Sequence, residues 1–228
     1  MELVRMHHAD GIILCAIEND WDKIRSYEQY GKVVVCNEYN EDTSISTVRA
    51  RQYEGFYKAT EYLIGKNYQK IAYCTGSRGV MHQPNGMNID SDRYSGYIEA
   101  LAAHGMTADP NLNFTRAKTM DDGRRILEEI LKRENRPDAI IAGSDEVAAG
   151  ILTEAINQGI KVPEDLAIVG VDDQPIASLL PIPLTTIRQP VQDEGMLAAK
   201  EIIRQLSEEP DDTVRKELEL ELVIRQSA

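Results

Sequence analysis

Cysteine, histidine and basic residues are scarce in this 228-residue chain, and it has no long apolar run. The apolar stretches are of strand length, far short of the ~20 residues that cross a bilayer. Residues 1–10 are charged and contain His7 and His8 in place of the apolar segment of a secretory signal. A membrane span is therefore excluded and a cytoplasmic protein expected. Cys15, Cys36 and Cys74 each lie within or at the end of an apolar strand pattern, and none stands at the spacing of a metal or redox motif. Small buried hydrophobes are expected at all three positions. With His7 and His8 adjacent and His82 and His104 isolated, no convergent zinc ligands are predicted, and neither a metal nor a cofactor is expected. Lys and Arg number 25 against 38 Asp and Glu, a net charge of −13. Because DNA affinity rests on cations neutralising phosphate, the chain itself should be repelled by nucleic acid. It also lacks a helix-turn-helix pattern and a basic arm.

Catalytic motifs are missing too. There is no Gly-x-Ser-x-Gly elbow, phosphate-binding Walker loop or Gly-x-Gly-x-x-Gly turn. The paired carboxylates Asp172 and Asp173 are neighbours, so strand alternation points them apart instead of across a scissile bond. An enzyme is not expected.

What is present is a regular alternation of buried strands and amphipathic helices, with 42% hydrophobic residues to pack them. Residues 11–16, 33–36, 71–74, 139–142 and 166–171 are apolar on both faces, as strands of a parallel sheet covered by helices must be. Helical spacing of apolar residues appears over 53–64 with Gly65 as a stop, and over 92–104 with Gly105. A third helix is predicted over 144–158, capped by Ser144 or Asp145 and ended by Gly159, and a fourth over 191–206. After an acidic linker at 207–212, residues 217–223 alternate charged and apolar, which predicts one strand at a sheet edge or crossing between lobes. The fold class is α/β.

The stretch 136–190 is the most informative, because each of its apolar strands stops at polar side chains, and the carboxyl ends of strands in an open α/β sheet are where small ligands bind. It contains Ala142-Gly143-Ser144-Asp145, Val169-Gly170-Val171-Asp172-Asp173 and Leu184-Thr185-Thr186. Upstream lie His8-Ala9-Asp10-Gly11-Ile12-Ile13-Leu14 and Asp92-Arg93-Tyr94-Ser95-Gly96-Tyr97. In this order the segments resemble the effector-binding core of the lactose-repressor/galactose-repressor (LacI/GalR) family of bacterial transcription regulators, from about Ala9 to the end of the chain.

The resemblance implies two Rossmann-like lobes with parallel sheets joined by three crossovers, a periplasmic-binding-protein-like fold. One lobe would hold 1–49 and 191–217, the other 50–187 and 218–228. It implies ligand between the lobes, a homodimer, and DNA contact only through an amino-terminal headpiece absent from these residues. The first lobe would lack the family's opening strand, helix and second strand, exposing strand edges. The expected function is thus effector binding and dimerisation within a LacI-type regulator, for a sugar, sugar phosphate or related metabolite. A solute-binding protein for sugar transport shares the fold and is the alternative.

By the same resemblance, Asn37, Arg93, Ser144 and Asp172 are effector contacts, and Arg51 and Lys118 stand at further cleft positions. A guanidinium at 93 offers a rigid fork of donors to hydroxyls or anions, and a carboxylate at 172 accepts from paired hydroxyls or an amine. Ser144 also suits a helix cap, and Asp173 suits a turn. Asn37 stands where the family often has an acid. Arg51 stands where it commonly has Asp, and Lys118 where it often has an aromatic. These departures point to an effector with an anionic group, although either cation can instead face solvent.

Overall fold

The computed structural model describes residues 2–15, 21–39, 44–80, 82, 88–208 and 212–228. Its strands are β1 (Gly11–Cys15), β2 (Lys32–Cys36), β3 (Ser46–Ala50), β4 (Ile71–Cys74), β5 (Asn113–Phe114), β6 (Ala139–Ile141), β7 (Ala167–Asp172), β8 (Thr185–Arg188), β9 (Arg215–Leu218) and β10 (Glu221–Val223). Its helices are α1 (Glu2–Arg5), α2 (Trp21–Arg25), α3 (Gln52–Gly65), α4 (Ile89–Ala103), α5 (Met120–Leu131), α6 (Asp145–Asn157), α7 (Pro175–Leu179) and α8 (Val191–Glu208). The chain divides into two compact units, Met1–Arg51 with Pro190–Glu219, and Gln52–Gln189 with Leu220–Ala228, and so passes three times from one to the other.

In the first unit a four-stranded sheet runs β1-β2-β3-β9, with every pairing parallel. Alternation along β1 and β2 splits its side chains. Leu14, Val33 and Val35 pack with Ile24 and Ile45 on one face, while Val34, Cys36 and Val48 pack with Ala198 of α8 on the other. Ser46 ties β3 to its cover: its hydroxyl donates to Glu201 (2.8 Å) and accepts from Gln205 (2.9 Å) and the Val214 amide (2.9 Å).

In the second unit six strands run β10-β8-β7-β6-β4-β5, parallel except for β10. Taken in chain order, the parallel strands lie second, first, third, fourth, fifth, the doubly wound arrangement whose switch point falls between its first and third strands; here those are β4 and β6. A core of Leu127, Ile130, Ile140, Ile151, Leu152 and Ile168 forms where α5 and α6 cover the sheet. Elsewhere Phe56, Tyr73, Tyr94 and Tyr97 interlock, with ring centroids 5.1–6.3 Å apart. Helices α5 and α6 meet through Gly123 and Gly150: a methyl group on Gly150 would stand 2.0 Å from the Met120 carbonyl oxygen.

The α/β class and mostly parallel sheets agree with the sequence reading, and several details correct it. Residues 217–223 are not one strand but two, β9 and β10, at the edges of different sheets. Gly65 lies inside α3, and the left-handed turn after it belongs to Asn67 (φ 70°). Helix α4 starts at Ile89, with Asn88 as its cap. Helix α5 and strands β3, β5 and β8 were not anticipated. The predicted strand residue Ala16 and residues 209–211 of the predicted acidic linker lie outside the described residues. Among the described residues, no helix is long and apolar enough to cross a membrane.

Glu194, in the first turn of α8, is 2% exposed, and among the described residues its Oε1 has no hydrogen-bond partner. Burial pushes its carboxyl up to about 7 against a hydrogen bond from the Ala50 amide. Between its unfolded value of 4.5 and about 7 the folded state keeps a proton that the unfolded state has released, so stability falls as pH rises through that window. Glu194→Gln is expected to stabilise the protein by on the order of 2–3 kcal/mol at about pH 8 and to lose that advantage below about pH 4.5. Urea denaturation at the two pH values checks this; a pH-independent difference contradicts it.

Candidate functional site

The carboxyl ends of β4, β6 and β7 share one edge of the second unit's sheet because these strands are parallel. At the switch point the chain exits approach closely: a methyl group on Gly143 would stand 3.1 Å from Thr75 Cα and 3.2 Å from the Cys74 carbonyl oxygen. Thr75 Oγ1 donates to Asp90 in the first turn of α4 (3.0 Å), and Ser77 Oγ donates to the other oxygen of the same carboxylate. Asn88 caps α4 reciprocally with Ser91. Together these bonds fix where the second turn of α4 begins, and that turn carries Arg93.

Arg93 is half-buried. Its Nε donates to Gln52 Oε1 (2.8 Å), and its guanidinium lies over the Phe56 ring, 5.2 Å from the centroid. Gln52 is fully buried; its Nε2 donates to Gln189 Oε1 (3.0 Å), and Gln189 Nε2 returns a longer bond to Gln52 Oε1 (3.3 Å). The two glutamines are the first residue of the unit after one chain crossing and the last before the next.

Asp172 and Asp173 both adopt left-handed backbone, φ 104° and 53°, unusual for non-glycine residues. Their carboxylates have different fates. Asp173 accepts from Arg188 Nε and an Arg225 terminal nitrogen, each at 2.7 Å. Burial works to raise its carboxyl, but those two bonds outweigh it and hold the group below its usual range. Asp172 is half-buried. Burial raises its carboxyl, while the Arg93 charge and a hydrogen bond from the Gln174 side chain work the other way.

Ser144 caps α6 by accepting from the Val147 amide (3.3 Å). Asp145, which the sequence offers as an alternative cap, is instead a fully buried anchor: it accepts from Thr186 Oγ1 and from the Gln174 amide, both at 2.6 Å. Burial pushes it up to about 6. Lys118 is exposed, with its stem against Gly76 just beyond β4 (a methyl group there would lie 3.4 Å from Lys118 Cγ). Arg93, Lys118, Ser144 and Asp172 are thus placed along the carboxyl edge of one sheet.

Asn37 and Arg51 belong to the first unit. Asn37 follows β2 in left-handed backbone (φ 52°), a conformation asparagine tolerates, and its amide donates to the Val48 carbonyl (2.8 Å). Arg51 is exposed, but its charge is met: Nε donates to Glu217 (3.3 Å), which also takes Arg49 (2.6 Å). Among the described residues, no group of three or more His, Cys, Asp or Glu is arranged to hold a metal.

Sequence reading missed Gln52, Gln189 and Asp145 as site-forming residues. Its one available signal was that both glutamines flank the expected crossings. Removing one amide strands its buried partner, so Gln189→Leu is expected to cost about 1–3 kcal/mol, and Gln52→Leu with Gln189→Leu less than the two single changes together. A denaturant double-mutant cycle measures this; strict additivity contradicts the pairing.

Comparison with known proteins gives one answer. The family model described as periplasmic binding protein-like domain matches residues 60–228. The NTD biosynthesis operon regulator NtdR of Bacillus subtilis is 34% identical over 91% of this chain and 61% of its own length. The ribose operon repressor of Halalkalibacterium halodurans is 29% identical over 100% of this chain and 65% of its own. The crystal structure of a LacI family transcriptional regulator from Lactobacillus casei with bound glucose superimposes with a TM-score of 0.85 at 28% identity, covering 100% of this chain and 82% of that one. The chain thus spans 61–65% of the length of these curated relatives.

Proposed function

The chain belongs to the periplasmic binding protein-like domain family, on its branch of LacI-type transcriptional regulators, and from that premise we propose that it is the effector-binding core of such a regulator. The observation that carries the reading is that Arg93 and Asp172 stand at the carboxyl edge of one doubly wound sheet, near enough for the Arg93 charge to act on the Asp172 carboxyl. A held donor fork and a half-buried carboxylate that has no ion pair among the described residues stand within each other's field. That combination suits vicinal hydroxyls, the guanidinium donating and the carboxylate accepting. Ser144 and Lys118 extend the same edge. Asn37 and Arg51 enter the proposal through the sequence resemblance alone.

The effector proposed is a sugar or sugar derivative. Support comes from the glucose held by the Lactobacillus casei regulator and from the donor-acceptor pair. With Arg51 engaged by Glu217, Lys118 is the cation left to favour an anionic group. The protein is proposed to act as a homodimer and to bind without turnover. DNA contact is assigned to residues other than these 228, whose net charge of −13 repels phosphate. Regulation then requires the effector to bind one conformation more tightly than another.

A melting-shift panel of sugars, sugar phosphates, nucleobases and amino acids tests this, since a ligand of the folded state raises its stability. A sugar or sugar phosphate is expected to raise the melting temperature of the wild type, and Arg93→Ala to weaken its binding by roughly tenfold or more. A shift from nucleobases or amino acids alone, or one unchanged in Arg93→Ala, contradicts the proposal.

A further inference from the structure

Cys15 ends β1 and Cys36 ends β2, and the parallel register of the two strands makes them direct partners. Adjacent strands run about 4.8 Å apart, inside the roughly 4.4–6.8 Å between Cα atoms that a disulfide spans. Both side chains leave the sheet on the side covered by α8: alternation puts Cys15 with Ile13, and Ile13, Val34, Cys36 and Ala198 form one cluster. The Cys15 thiol lies near enough to that of Cys36 to help hold it protonated, after burial. Both are free, Cys15 exposed and Cys36 buried. Glu194 lies one turn before Ala198 on α8, which packs against Cys36, and acts on it electrostatically; among the described residues its buried Oε1 has no hydrogen-bond partner. The expectation of three buried cysteines is therefore corrected at one of them: Cys15 is exposed and stands beside the buried Cys36 in the sheet.

We propose that Cys15 and Cys36 form a reversible dithiol-disulfide site, oxidised by a peroxide, in which Glu194 takes the proton of Cys36. The exposed Cys15 thiolate attacks hydrogen peroxide; an S–O bond forms, the O–O bond breaks, and hydroxide leaves to become water with the proton Cys15 has lost. Cys36 then passes its proton to the Glu194 carboxylate, and its sulfur attacks the sulfenic sulfur of Cys15. The S–S bond forms, the S–O bond breaks, and hydroxide takes the proton from Glu194. Two thiols and one peroxide give one disulfide and two waters, and a small thiol reverses the step by exchange. A base is needed because burial holds Cys36 protonated, pushed up to about 12. Glu194, at about 7, is partly ionised at neutral pH.

The consequence falls on Asn37, which follows Cys36 in constrained left-handed backbone. Drawing Cys36 toward Cys15 displaces this residue and so changes effector affinity. That last link rests on the proposed effector role of Asn37; the oxidation chemistry does not.

The test is to treat the full chain with hydrogen peroxide and map peptides under non-reducing conditions. The expected result is a Cys15–Cys36 cross-link reversed by dithiothreitol, with Cys74 unmodified. Cys36→Ser should accumulate a dimedone-reactive sulfenic acid at Cys15. Glu194→Gln should slow cross-linking about tenfold without slowing sulfenic acid formation in the Cys36→Ser background. Oxidation of Cys15 to the sulfinic acid without a cross-link, or cross-linking only between two molecules, overturns the site; an unchanged rate in Glu194→Gln overturns the base. Calorimetry with glucose and glucose 6-phosphate on reduced and oxidised protein should show an affinity difference of at least threefold. Equal affinities overturn the link to Asn37, whereas a reduced protein that binds neither compound counts against the effector reading and leaves the cross-linking result standing.

Discussion

The candidate site depends on the division of labour between two adjacent carboxylates. Arg188 and Arg225 both close on Asp173, fixing the turn after β7 by charge-assisted bonds from two strand-end segments. With those cations spent, Asp172 keeps a half-buried carboxylate that has Gln174 as a hydrogen-bond partner and feels Arg93 only as a field. A partly desolvated acceptor of this kind gains more from a bound donor than one already saturated. The left-handed backbone at both aspartates costs about 1–3 kcal/mol per residue, and the locked Asp173 holds that strain in place.

The sheet supplies the rest. Parallel pairing brings the ends of β4, β6 and β7 to a common edge, and the switch point opens between β4 and β6. The close approach of Gly143 to Thr75 keeps that edge narrow. Asp145 then links α6, β8 and the turn after β7 through two short hydrogen bonds. The Gln52–Gln189 pair carries the support of Arg93 back to two of the places where the chain changes unit, so backbone adjustment at a crossing reaches the guanidinium through two bonds.

Much of this was legible in the sequence because buried parallel strands and capped helices leave local signals. The apolar runs of β2, β4, β6 and β7, the Ser144 cap and the Gly159 stop all follow from short-range chemistry. What was illegible is long-range pairing. Helix α5 has apolar residues at helical spacing and a Thr119–Asp122 capping box, but dense charges mask that spacing. Residues 217–223 alternate as one strand does, but a change of unit at Glu219 divides them. Asp145 looks like a cap until Thr186, 41 residues away, is known to touch it. Cys15 and Cys36 look unrelated by spacing, since parallel register, unlike a hairpin, leaves no fixed interval between partners.

Asp172 is proposed as the ligand carboxylate and Asp173 as the structural one, and comparing Asp172→Asn with Asp173→Asn tests that division. Each variant should be taken through urea denaturation and through calorimetric titration with the sugar that gives the largest melting shift. Asp172→Asn should keep stability to within about 0.5 kcal/mol and lose roughly tenfold or more in affinity, while Asp173→Asn should lose about 1–3 kcal/mol of stability. Full affinity in Asp172→Asn, or a destabilisation there as large as in Asp173→Asn, would contradict it.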